Sequence, residues 1–207
     1  MGSETAVERR QGESPGGCRA HQGPLRALPV VAGPMRLASV GGPVVTLRPR
    51  GYQFPGVVSG QPRDWDANWL IIDGRVSAAD GRSWRFSDPC LTTWEAAELS
   101  GWLRAVAAGV VAPVALDQEL DVLDGSGPEE REGLLTFVEP TIAFSLAGPA
   151  PDGVELRVHL SPEVRPPQPP GTTFERFGHV VSIRLPRADL ISAVEVWDRE
   201  RAAFPPR

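Results

Sequence analysis

Trp69-Leu70-Ile71-Ile72-Asp73-Gly74-Arg75-Val76-Ser77-Ala78-Ala79-Asp80-Gly81-Arg82-Ser83-Trp84-Arg85-Phe86 carries the strongest fold signal in the chain. Short strand-like runs are separated by two Asp-Gly pairs, which tolerate the positive φ that tight hairpins require. The pattern predicts an antiparallel meander with turns at Asp73-Gly74 and Asp80-Gly81. Trp69 reads as a core residue at the start of its run.

Working outward, Val45 and Leu47 alternate with Thr46 and Arg48 from Val44 onward, which predicts a half-buried strand ended by Pro49. Downstream of Asp88-Pro89-Cys90, Thr92 and Glu95 have the spacing of a capping box. Leu99, Trp102, Leu103 and Val106 follow at helical spacing and Gly109 can stop the helix, predicting a helix over 92–108. Three strands are predicted around Leu135–Val138, Ile142–Leu146 and Val154–Leu160. In the last, Glu155, Arg157 and His159 alternate outward, giving the sheet one wet face. A proline-rich loop from Ser161 to Gly178 leads to a strand His179–Leu185. Leu190, Val194 and Trp197 then mark a second amphipathic helix at about 188–203. The fold class is α+β: a single domain in which an antiparallel β-sheet meander packs against two amphipathic helices.

Residues 1–34 are rich in Gly, Pro, Arg and Glu without periodicity and predict a disordered N-terminal tail, with Met35 as a candidate true start. The folded domain is expected over residues 40–205. The full chain has 207 residues, of which 41% are hydrophobic and 23% charged, enough for one core. All 21 basic residues are Arg, a bias typical of GC-rich genomes, and the net charge is −5. That balance argues against a nucleic-acid binder and suits a basic partner. Two unequally placed cysteines, Cys18 and Cys90, make no secreted disulfide framework and point to a reducing cytoplasm. No apolar run approaches the roughly 20 residues a membrane span needs.

Catalytic chemistry has few candidates. His21 falls in the tail, His159 reads as a solvated surface residue, and His179, in phase with Val181 and Ile183, reads as structural. Three scattered histidines make no metal set, and no cofactor is expected. Cys90, just before a helix N-terminus, could in principle be an activated thiol, but a small apolar filler is the stronger reading. Binding features are more informative. Asp64, Trp65 and Asp66 place acids beside an aromatic ring just before a strand, a composition suited to anchoring a cationic surface. The segment 117–132 holds seven acids and one Arg, with Asp117, Glu119, Asp121, Asp124, Glu129 and Glu130 as further contact candidates. Two alternatives stay open: a small-ligand or regulatory module with a pocket between sheet and helix, and a hydrolase centred on Cys90 or His179.

The order of Leu47-Arg48-Pro49 with Gly51-Tyr52-Gln53-Phe54-Pro55, then Asp66-Ala67-Asn68-Trp69-Leu70, then Trp84-Arg85-Phe86-Ser87-Asp88-Pro89-Cys90-Leu91 with Thr93-Trp94-Glu95, resembles the WapI-like immunity proteins. Glu139-Pro140 and Ala203-Phe204-Pro205 add to the resemblance, which spans about residues 40–205. It implies a cytoplasmic bacterial antidote that binds and neutralises the C-terminal domain, often RNA-cleaving, of a contact-dependent toxin. No catalytic residue is implied, because occluding a partner needs none.

Overall fold

The computed structural model describes residues 1–2, 33–57, 64–118, 133–166 and 179–207. The chain divides into two compact units, Met1–Val31 and Ala32–Arg207, and apart from Met1 and Gly2 the described residues all belong to the second. The tail expected over 1–34 therefore falls almost wholly outside them, as does most of the proline-rich loop.

The second unit is α+β. Four antiparallel strands form one sheet in sequence order: β1 (Met35–Ala38), β2 (Val44–Tyr52), β3 (Trp69–Ser77) and β4 (Ser83–Thr92). A second sheet repeats the arrangement with β5 (Leu134–Leu135), β6 (Ile142–Ala150), β7 (Gly153–Leu160) and β8 (His179–Leu185). The predicted meander is thus two meanders. Short helix α1 (Trp65–Asn68) precedes β3, α2 (Thr93–Ala108) follows β4, and α3 (Arg187–Arg201) follows β8.

The opening stretch is read correctly at one Asp-Gly and incorrectly at the other. Gly81 has φ +83° and turns the chain from β3 to β4. Gly74 instead lies in the middle of β3, paired with Leu47 on one side and Phe86 on the other. A Cβ at Gly74 would stand 2.1 Å from Phe86 Cζ. The glycine is there to let an aromatic ring from the neighbouring strand lie across the backbone, so the residue serves packing and not a turn.

Three other boundaries differ for reasons of strand pairing and hydrogen bonding. Pro49 does not end β2. The strand continues to Tyr52, and a register shift between Pro49 and Gly51 accommodates the residue that has no N–H to give. Strand β1 also lies ahead of residue 40, where the domain is expected to begin: Met35 and Leu37 pair with Leu47 and Val45 and are fully buried. The strand expected at Leu135–Val138 shrinks to Leu134–Leu135. Beyond it, the Val138 N–H donates to Glu95 Oε1 at 2.8 Å and leaves the ladder.

Both sheets and both long helices share one continuous core. Trp197 of α3 is its largest fully buried side chain, and its indole N–H donates to the Ala96 carbonyl of α2 at 2.7 Å. The helices are also joined by Asp198, which accepts from Ser100 and Arg104 of α2 and from Arg201. Burial alone would raise the Asp198 pKa, yet these three donors hold it below the ordinary carboxylate value.

Candidate functional site

Pieces of chain that stand far apart in sequence meet at one corner beside the N-termini of β3 and α2. Asn68 is its hub. This buried amide donates to the Asp64 and Arg207 carbonyls, both at 2.8 Å, and accepts from Thr93 Oγ1 and the Arg207 N–H, both at 2.9 Å. All four of its hydrogen-bonding positions are filled. The Arg207 guanidinium donates to the carbonyls of Phe54, Pro55 and Ala67 and lies 3.5 Å from the Tyr52 ring centroid. Tyr52 in turn donates its hydroxyl to the Pro205 carbonyl and meets the Phe204 ring edge-on at 5.7 Å. Burial, partly offset by Arg207, raises the Tyr52 pKa and keeps that hydroxyl a donor.

On this base sit three tryptophans. Trp65 contacts Trp94 edge-to-face at 5.0 Å and Trp69 at 6.0 Å. Trp65 is 44% exposed. Trp69 and Trp94 are half-buried, so Trp69 belongs to this surface cluster and not to the core as its sequence position suggested. Asp64 caps α1 by accepting from the Ala67 N–H at 3.3 Å, and Asp66 is exposed in the first turn. One helical turn beyond Trp94, burial and then the neighbouring Glu95 raise the pKa of Glu98.

The α2 N-terminus holds the other side of the corner in place. Glu95 Oε2 accepts from both the N–H and the hydroxyl of Thr92 at 2.7 Å, and the Thr92 hydroxyl accepts from the Glu95 N–H, completing the predicted capping box. The remaining Glu95 oxygen binds the Val138 N–H, which anchors the loop carrying exposed Val138, next to Glu139-Pro140. The corner is thus an aromatic and acidic surface, with the three indoles packed together and Asp64 held at the start of α1.

The structure therefore brings Asp64, Trp65 and Asp66 together and adds Trp94, which sequence reasoning did not single out as a contact. Asp117 is exposed but belongs to another part of the fold. It follows Val114, which packs with Leu134 and Ala143 on the second sheet. Glu119, Asp121, Asp124, Glu129 and Glu130 lie outside the described residues.

The catalytic candidates behave differently from one another. Burial, then the nearby Asp88, pushes the Cys90 thiol far above its ordinary value, so it stays protonated and unreactive at neutral pH. His179 is half-buried at a strand end with its ring edge-on to Trp84 at 5.1 Å. His159 corrects the wet-face reading: it is fully buried, with Nε2 2.9 Å from the Ser145 hydroxyl, itself fully buried. The reason is that β7 has strands on both sides and its outer face is covered: Ala143, the β6 partner of His159, is fully buried and packs with Val114 and Leu134. A serine beside a histidine has the composition of a nucleophile and base, but among the described residues both side chains are fully buried. Among the described residues, no group of three or more His, Cys, Asp or Glu could hold a metal ion, and no helix is long and apolar enough to cross a membrane.

Between the first sheet and α3, where the ligand-binding alternative expects its pocket, lie hollows of about 430 and 220 Å³; a cleft of about 600 Å³ lies instead among Val40, Pro43, Ala79, Pro151 and Leu185, where turns from both sheets approach. Its one cationic side chain, Arg184, is engaged by Glu155 at 2.8 Å. Ser39, Asp152 and Ser182 also line it, and Ser39 Oγ already accepts from the Arg184 N–H at 2.8 Å.

Residues 36–205 match the family model described as Immunity protein WapI-like family. No curated protein matches the chain.

Proposed function

Because the chain belongs to the WapI-like immunity protein family, we propose that it is a cytoplasmic antidote that binds and neutralises the C-terminal toxin domain of a contact-dependent toxin, without catalysis of its own. Family membership over residues 36–205 carries this reading. The Trp65–Trp94 corner supports it, since an exposed tryptophan such as Trp65 is a common energetic anchor of a protein interface.

The partner is an RNA-cleaving domain, whose phosphate-binding cleft is basic. Asp64 and Asp66 face such a cleft favourably, and the net charge of −5 speeds and orients the encounter. Neutralisation is then occlusion: the Trp65 ring and its acids occupy the cleft that RNA would enter.

The test is co-expression of the full chain with the toxin domain encoded beside it, read by co-purification and by growth. A stable complex that restores growth is the expected result. No complex and no rescue from a folded protein refutes the pairing. Rescue unchanged by Trp65→Ala and by Asp66→Arg refutes the corner as the contact.

A further inference from the structure

The outer face of the first sheet concentrates positive charge in a chain that is acidic overall. Strand register places Arg36 of β1, Thr46 of β2, Arg75 of β3 and Arg85 of β4 in a single row across all four strands. The three arginines are exposed, and none makes an ion pair among the described residues. Arg75 and Arg85 are direct cross-strand partners, and like charges so placed repel. Beside the row, Arg48 stands across from Asp73 and binds Glu200 of α3 at 2.7 Å. Two hollows adjoin at Arg48 and Asp73. One, of about 640 Å³, reaches Arg75 and Arg85, and the other, of about 430 Å³, reaches Arg50 and Arg199.

We propose that this arginine-lined groove binds the sugar–phosphate backbone of a single-stranded nucleic acid. A phosphate between Arg75 and Arg85 accepts from both guanidinium forks and turns their repulsion into attraction. Strands about 4.8 Å apart put Arg36 about 10 Å further along the same row, in line to take a neighbouring phosphate. Thr46 lies at the groove's edge, with its hydroxyl donating to the Arg75 carbonyl at 3.5 Å.

A protein partner is the poorer fit. Protein interfaces are centred on a desolvated apolar patch, and of the residues lining the larger hollow only Pro34 and Phe86 have apolar side chains. A phosphate backbone needs only charge and donors. Of the two carboxylates in the hollows, Glu200 is paired with Arg48, whereas Asp73 keeps its charge beside Ser87 and subtracts from the field of the row. The overall charge of −5 argues against nucleic acid only as an average, whereas a bound strand meets the local potential. The groove is independent of the toxin-binding reading and stands or falls separately.

The experiment measures anisotropy of a fluorescein-labelled oligouridine against the full chain between about 50 and 200 mM salt. The expected Kd lies at about 10⁻⁴ to 10⁻⁶ M, weakening as salt rises. Arg75→Ala with Arg85→Ala removes the phosphate contact that the two share and flattens the log–log salt slope by about 0.7, with the circular dichroism spectrum unchanged. Asp73→Asn acts in the opposite sense and tightens binding roughly threefold, the size of one charge interaction at about 6 Å in water. No binding at the lowest salt, or a slope unchanged in the double variant, overturns the proposal. Binding of oligoglutamate at least as tight as oligouridine also overturns it and assigns the groove to an acidic protein surface.

Discussion

Replacing Gly74 with alanine tests the packing role assigned to this glycine, because the sign of the effect depends on Phe86. In the native background the new Cβ would lie 2.1–2.6 Å from three atoms at the far end of the Phe86 ring. The ring must swing away from the core against which it packs, and overpacking of that kind costs about 1–3 kcal/mol. Against this, alanine restricts the unfolded chain more than glycine and returns about 0.4–1 kcal/mol, since Gly74 has no positive φ to lose. Gly74→Ala is therefore expected to destabilise by roughly 1–2 kcal/mol. In a Phe86→Ala background the obstacle is gone and only the chain-entropy gain remains, so the same substitution stabilises by about 0.4–1 kcal/mol. Four urea denaturation curves, for the native chain, each single variant and the double, measure the cycle. If Gly74→Ala has the same sign and size in both backgrounds, the ring is not why a glycine stands there, and the in-strand reading of Asp73-Gly74 loses its physical basis.

Glu95→Ala removes a cap from α2 and strands the Val138 N–H together, and should cost about 2–3 kcal/mol by denaturation, with faster amide exchange at Val138. Trp65→Ala should weaken the toxin complex by about 2 kcal/mol or more, roughly 30-fold in Kd by calorimetry, while leaving the thermal midpoint almost unmoved. Arg85→Glu turns a like-charge cross-strand pair into an opposite one and should stabilise the fold by about 0.2–1 kcal/mol at low salt. His179 has its pKa lowered by burial, with Arg82 and Arg165 acting in the same direction and Asp80 opposing. The folded state thus disfavours the charged ring: its contribution to stability is complete above the ordinary value of about 6.5 and is lost as pH falls through that range. Thermal melts between about pH 7.5 and 5.5 should show the decline, and His179→Gln should flatten it.

The features legible in the sequence were those whose cause is local. The capping box at Thr92 and Glu95, the αL stop at Gly109 and the Leu99–Val106 stripe are written in residues a few positions apart, and the helix they predict is the one observed. Leu190, Val194 and Trp197 announce α3 in the same way. What escaped was set by partners far along the chain. Whether Asp-Gly turns or stays extended depends on Phe86, whether a strand face is wet depends on Val114 and Leu134, and whether a β2 proline ends its strand depends on a bulge. The corner shows the same division. Asp64, Trp65 and Asp66 stand out by composition, whereas the roles of Asn68 and Trp94 appear only once Arg207, Thr93 and Trp65 are brought beside them.

The contact between α3 and the first two strands also has a consequence in time. A ribosome adding about 5–20 residues per second delivers Trp197 roughly 8–30 s after Leu47. Through that interval the apolar side chains of β1 and β2, Met35, Leu37, Val45 and Leu47, belong to a core whose largest member has not been made. Both meanders pair neighbouring strands and can form early, yet neither can be sealed until the last helix arrives. Nascent chains halted before Arg187 should therefore be the species that chaperones hold.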